Sequence, residues 1–261
     1  YHADGVVEYG MFEGAAFEFA DAVTQPDGLP MTWHRPSAAW TVVEGNTAKA
    51  ETSVIVYRDE KLGGKVVQQL LCGRYLDTLE KRDGVWKISK RIYVLDWNSN
   101  MPDTSAWDDP LYEPLHWGVK GTADPGYQQL AAWAAETKAA APQGVGKGAA
   151  DLVVHAVAKS ALRDVGLAYC RAVDRGDSAL LASLFTGNAR ISVGVYDGDA
   201  AGFVAGQVTG KSGVTRSFHS ICTDYYEIDG NTAVGETYVM RFDTVNTGGL
   251  ERDTLQGGRF L

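Results

Sequence analysis

Apolar positions recur along the chain at two spacings, and each spacing predicts a different element. After a turn-rich opening, Phe17, Phe19 and Val23 anchor a short amphipathic helix at about Ala15–Val23. Four strand-like runs follow, at about 37–44, 47–58, 65–82 and 85–97. In the second of them Val54 and Val56 occupy one face and Ile55 and Tyr57 the other. Glu44-Gly45-Asn46 and Asp83-Gly84 predict hairpin turns, because Gly and Asn tolerate positive φ. The four runs therefore predict an antiparallel meander with helices over one side. Residues 119–150, rich in Ala, Gly, Pro and Lys, predict a linker with one helix at Gln128–Ala140. From Asp151 the helical spacing returns. Ala156–Asp174 carries Ala161, Leu162, Val165, Tyr169 and Val173 near one face, and Asp177 is placed to cap a second helix over Ser178–Leu184.

The pattern then repeats itself. TWHRPSAAWTVVEGNTAKAETSVIVY, from Thr32, matches RSFHSICTDYYEIDGNTAVGETYVMRF, from Arg216. His34 pairs with His219 (219 − 34 = 185), Gly45 with Gly230 (230 − 45 = 185) and Gly73 with Gly258 (258 − 73 = 185). Further upstream Gly10-x3-Gly14-x4-Phe19 pairs with Gly194-x3-Gly198-x4-Phe203, at a shift of 194 − 10 = 184. A period this long is a duplicated domain, not a solenoid. The expected division is 1–118 for copy one, 119–150 for the linker and 151–261 for copy two. Tyr1 aligns with Phe185 and Leu261 with Leu76, so copy one is expected to lack N-terminal helices and copy two its last strands, as in a piece of a longer protein.

Composition narrows the class. With 45% apolar residues and mixed charge the chain is globular. A net charge of −9 argues against a nucleic-acid partner and against anionic membranes. Cys72, Cys170 and Cys222 form no disulfide framework or CxxC pair, which fits a reducing cytoplasm. No run of roughly 18 apolar residues predicts a transmembrane helix. His2, His116 and His155 show no metal-ligand spacing, so no metal is expected. Gly-Val-Gly-Lys-Gly at 144–148 lacks the preceding strand and the Ser/Thr of a P-loop.

Three stretches resemble the SnoaL-like branch of the NTF2-like superfamily. They are Tyr169-Cys-Arg-Ala-Val-Asp174-Arg-Gly-Asp177 on a helix, the Gly194/Gly198 turn with His219 before a strand, and Gly73-Arg-Tyr-Leu76 with Arg82-Asp-Gly-Val-Trp86-Lys-Ile-Ser-Lys-Arg91 in copy one. The resemblance implies an α+β fold of two cones, each a curved antiparallel sheet covered by helices. It also implies a helix aspartate and a strand histidine inside the cone. Asp174 and His219 match that pair, Tyr169 matches a substrate-facing tyrosine, and Arg91 matches a pocket arginine. His34 matches the histidine in copy one, but its aspartate would fall about 11 residues before Tyr1. Trp33, Phe218, Tyr225 and Tyr238 (and Trp40) are candidates for an apolar substrate pocket.

The implied chemistry is proton abstraction by an imidazole that a carboxylate orients, with a tyrosine or arginine stabilising the substrate oxygen. The expected activity is a lyase of dehydratase type, without cofactor, on a small apolar molecule of aromatic or steroid-like kind. An isomerase or cyclase using the same base, or a noncatalytic binding pair, remains open. Self-association or an intrachain pseudo-dimer is expected. On the residues alone, Asp174 also fits a helix end, Tyr169 and the aromatics fit core, and Arg91 fits a solvated strand face.

Overall fold

The computed structural model describes residues 1–25, 32–105, 113–137, 149–208 and 213–261. Gly-Val-Gly-Lys-Gly at 144–148 and the end of the helix expected at Gln128–Ala140 lie outside them. The chain divides into two compact units. The first holds Tyr1–Ser105 with Gly118–Asp124. The second holds the described residues 113–117, 125–137, 149–208 and 213–261.

In the first unit, strands β1 (Val6–Tyr9) and β2 (Phe12–Ala15) lead into helix α1 (Ala16–Thr24). Four long strands follow: β3 (Trp33–Glu44), β4 (Thr47–Leu62), β5 (Lys65–Arg82) and β6 (Val85–Pro102). The sheet order is β2-β1-β6-β5-β4-β3. The meander over β3–β6 is antiparallel as expected, and β1 adds parallel to β6, with Val7 opposite Arg91. The opening expected as turns is thus a tight hairpin, closed at Gly10 with φ 63°. Its strands are too short to show a period of two. β5 falls on the expected 65–82, while β3 begins earlier, at Trp33, and β4 and β6 end later, at Leu62 and Pro102. Pro36 fits inside β3 because β3 is the sheet edge, where a missing N–H costs no ladder bond.

The second unit has helices α2 (Pro125–Thr137), α3 (Ala149–Arg175) and α4 (Ser178–Ser183). The hairpin β7 (Arg190–Val193) and β8 (Tyr196–Asp199) precedes α5 (Ala200–Val208). The sheet of β9 (Val214–Asp229), β10 (Thr232–Thr247) and β11 (Leu250–Phe260) has the order β11-β10-β9. Asp177 caps α4, its Oδ1 accepting from the Leu180 N–H at 2.9 Å. The core joins Ala172 of α3, Leu181 of α4 and Val204 of α5, with Tyr169, Val173, Leu180 and Phe185 packed on it. Helix α3 lies against β9, close enough that a Cβ at Gly166 would stand 2.8 Å from Ile221 Cδ1. A glycine in mid-helix costs about 1 kcal/mol against alanine, and here it sets the helix-to-sheet distance.

The duplication reaches the irregularities. In β3, residues 37 and 38 bulge opposite Ser53, because Pro36 pairs with Val54 and Ala39 with Thr52. In β9, Cys222 and Thr223 bulge opposite Tyr238, because Ile221 pairs with Val239 and Asp224 with Thr237. The two bulges are 185 residues apart, and each bends its sheet at one point. The Arg74–Glu51 ion pair at 3.4 Å recurs as Arg259–Glu236 at 2.8 Å. Gly10 likewise recurs as Gly194, φ 58°, at the β7–β8 turn.

Candidate active site

The site of the second unit is built where the last turn of α3 meets β9. Gly176 ends the helix, which leaves Asp174 in its final turn beside the strand. β9 is an edge strand, so its outward N–H groups have no ladder partner. Asp174 takes one of them: Oδ2 accepts from the backbone N–H of His219 at 2.9 Å. Its other oxygen, Oδ1, lies 2.5 Å from His219 Nδ1. The carboxylate therefore grips one residue at two points. An accepting oxygen on Nδ1 places the ring proton there and leaves Nε2 with the free lone pair. The side chains are 8% and 17% exposed, so the pair is largely shielded from water.

Two more groups of α3 precede Asp174 in the chain. Cys170 lies one turn before Asp174, and burial, then the Asp174 charge, pushes its thiol up to about 11. It therefore stays protonated at neutral pH and is no thiolate nucleophile. Tyr169 is pushed up to about 12, chiefly by burial. Its ring packs on the Ala172–Leu181–Val204 core and meets Phe260 edge-on, with centroids 5.0 Å apart. The helix runs unbroken through Asp174, so Tyr169 and Asp174 do not share a helix face.

In the first unit His34 occupies the matching strand position, opposite Val56 as His219 is opposite Arg241. Among the described residues no carboxylate grips it. Partial loss of hydration, then the positive charges of Arg58 and Arg91, hold its pKa below the usual 6.5. The unfolded chain then binds more protons than the folded one as pH falls through 6.5. Stability is thus greater above that pH and declines below it. A His34→Gln variant should lose less stability than the parent between pH 7 and 5 in urea titrations. Identical losses would show that His34 does not set this slope.

The chain can be set beside known proteins on this geometry. The family model for the SnoaL-like domain matches residues 1–92 and again 154–261. The chain belongs to the SnoaL-like family. The two matched segments fall one in each unit, so each unit carries a SnoaL-like domain of helices and antiparallel strands. No curated protein matches the chain. Among similar solved structures, a Novosphingobium aromaticivorans protein provisionally named a scytalone dehydratase is 21% identical, covering 41% of this chain and 76% of that one, with TM-score 0.32. The hexachlorocyclohexane dehydrochlorinase LinA-type3 from Novosphingobium barchaimii is 18% identical, covering 41% and 77%, with TM-score 0.35. An NTF2-like protein with a cystatin-like fold from Novosphingobium aromaticivorans is 21% identical, covering 41% and 67%, with TM-score 0.30.

Within this SnoaL-like pair several expected pocket residues sit elsewhere. Phe218 and Trp33 adjoin the histidines in regular strand, so they point to the opposite sheet face. Phe218 meets Phe242 there, and Trp33 meets Tyr57. Tyr238, next to the inward Thr237 and Val239, is likewise outward, with the Arg259 guanidinium 5.7 Å from its ring. Tyr225 and Trp40 are exposed; the Tyr225 hydroxyl bonds Glu227, and Lys159 stands over the Tyr225 ring. For Trp33 and Phe218, adjacency to a histidine in a strand is itself what turns them away.

Arg91 is also spoken for. Its Nε and Nη2 bond both oxygens of Asp77, at 2.8 and 2.7 Å, and the guanidinium lies 4.1 Å above the Tyr75 ring. Asp77 is 7% exposed, so this is an interior ion pair and not an open fork waiting for a ligand. Among the described residues no group of three His, Cys, Asp or Glu is placed to hold a metal. Nor is any of their helices long and apolar enough to cross a membrane.

Two residues that the sequence did not single out belong to the interior of the second unit. Arg241 sits directly across the ladder from His219, and Asp243 follows two positions on, on the same face. The alternation Arg-Phe-Asp within a strand was the available signal: two charges at period two, inside an otherwise apolar run.

Proposed function

We propose that the second unit catalyses a base-promoted elimination on a small, largely apolar molecule, of the kind a dehydratase performs, by a route that calls on no cofactor. The two-point grip of Asp174 on His219 carries this reading. A carboxylate on Nδ1 and on the backbone N–H of one residue fixes ring position, ring tilt and tautomer together. Nε2 takes a proton from carbon, and that C–H electron pair becomes the new double bond. The bond from the neighbouring carbon to its hydroxyl breaks, and the imidazolium returns the proton to the departing oxygen as water. Asp174 stabilises the imidazolium in between. Tyr169, protonated at neutral pH, is the donor to a substrate oxygen.

The test is loss of one water, followed by mass spectrometry over a panel of β-hydroxy carbonyl and phenolic compounds. The parent chain is run beside His219→Gln and the His34→Gln/His219→Gln double variant. Turnover is expected in the parent and absent in both variants. Elimination that survives the double variant would reject the reading, and a product of unchanged mass would replace it with isomerisation.

A further inference from the structure

Arg241 and Asp243 form an ion pair that is only half made. Nη2 of Arg241 bonds Oδ2 of Asp243 at 2.5 Å, with side chains 20% and 4% exposed. A guanidinium and a carboxylate ordinarily meet fork to fork through two parallel bonds, as Arg91 and Asp77 do. Here the second bond is not made. Nε of Arg241 and Oδ1 of Asp243 are both buried and both without a hydrogen-bond partner. Such orphaned charged groups are costly in an interior, and these two belong to one pair.

Their place in the fold gives the orphan pair a meaning. The His219 N–H points outward to Asp174, so His219 and Arg241 form the non-hydrogen-bonded kind of antiparallel pair. In such pairs the Cα atoms are about 4.5 Å apart and the side chains are closest. Arg241 therefore starts across the ladder from His219, on the face that α3 covers, and its guanidinium turns to Asp243 two positions on. The duplication supplies the control. The positions matching Arg241 and Asp243 are 241 − 185 = 56 and 243 − 185 = 58, which are Val56 and Arg58. Val56 is 2% exposed and packs as plain core. The fold does not need this ion pair: the first unit has no carboxylate at either position, and its one charge there, Arg58, bonds Gln69 and Glu60 instead.

We propose that the Arg241–Asp243 pair is the substrate-hydroxyl subsite of the second unit, which makes its ligand an alcohol or phenol. One orphan is a donor and the other an acceptor. A hydroxyl oxygen accepts from Nε–H and gives its own proton to Oδ1, satisfying both at once. A carboxylate ligand meets the Asp243 charge, an ammonium meets Arg241, and an ether satisfies only the donor. This assignment rests on the elimination reading, in which a hydroxyl must be held beside His219.

The probes are 2-naphthol, 2-methoxynaphthalene and 2-naphthoate, with binding followed by NMR shifts on the whole chain. The naphthol is expected to bind about 10-fold to 100-fold more tightly than the methyl ether, the span of a hydrogen bond to a charged group. It should also bind more tightly than the naphthoate. An Arg241→Met/Asp243→Leu double variant removes both charges together, which keeps the fold from holding one buried charge alone. It should bind naphthol and ether equally. His219→Gln should keep the naphthol preference while losing turnover, so failure of the elimination reading and failure of this one are told apart. Equal affinities in the parent, no binding of either compound, tighter naphthoate binding, or a preference that survives in the double variant each overturn the subsite. The last would mean that a bridging water alone fills the gap.

Discussion

Replacing Asp174 by Asn should lower turnover by roughly 10⁴-fold while leaving the fold in place, the scale seen when a base loses its orienting carboxylate. The reason lies in the two bonds at one residue. The carboxylate accepts from the His219 backbone N–H at 2.9 Å and faces Nδ1 at 2.5 Å. An amide has one oxygen for two donors. If that oxygen keeps the backbone N–H, the amide NH₂ faces Nδ1, which must then accept. The ring proton moves to Nε2, the atom that has to take the substrate proton. The expected signature is thus a fall in kcat with KM little changed, together with ¹⁵N shifts that place the His219 proton on Nε2. An Asn variant with near-parental kcat would mean that His219 is not the base.

Asp174 and His219 are 45 residues apart, and no local period joins them. Only the resemblance to a family pattern brought them together. His34 and His219 were visible as landmarks because the repeat keeps one register on both, down to the bulge three residues on. Asp77 was hidden by another bulge. Counting back from the Asp83-Gly84 turn along Arg82↔Val85 places Asp77 opposite Lys90. The register shift between Thr78 and Leu79 inserts Ser89 and moves Arg91 there instead. One residue of slip exchanges a solvent-facing charge for an interior one. Arg241 is illegible for a simpler reason: an arginine in a strand reads as solvated until its neighbours across the ladder are known.

The parallel pairing of β1 with β6 joins residues about 84 positions apart, Val7 with Arg91 (91 − 7 = 84). No hairpin signal marks such a pairing, because a parallel neighbour arrives through a long connection. Its effect reaches the first unit's interior. Tyr9 on β1 stacks on Tyr93 of β6 with centroids 4.3 Å apart, and Tyr75 tilts against the same ring at 5.8 Å. Burial raises the pKa of all three phenols. The aromatic lining of this sheet face thus comes from the tyrosines of three different strands.

That lining makes Gly73 the position of largest expected effect on stability. It lies on β5 between Val54 and Leu95, next to the register shift at Cys72. A Cβ there would stand 2.3 Å from the Val94 carbonyl oxygen and 2.8 Å from the Tyr93 ring. The carbonyl is backbone in a strand laddered to β5, so it cannot give way as a side-chain tip can. Moving the ring disturbs its stacking with Tyr9 and Tyr75. Gly73→Ala should therefore destabilise the first unit by about 4 kcal/mol or more, the range reserved for strain and overpacking in a core. Gly258 holds the matching place in the second unit, and a Cβ there meets nothing within 4 Å. Gly258→Ala should leave stability unchanged or raise it by about 0.5 kcal/mol, through the lost freedom of the unfolded chain. Urea titration by tryptophan fluorescence separates the two, since Trp33, Trp40, Trp86 and Trp97 all report on the first unit. Equal shifts for the two variants would mean that the close approach of Val94 and Tyr93, rather than the fold's repeat, has been misjudged as the reason for glycine at Gly73.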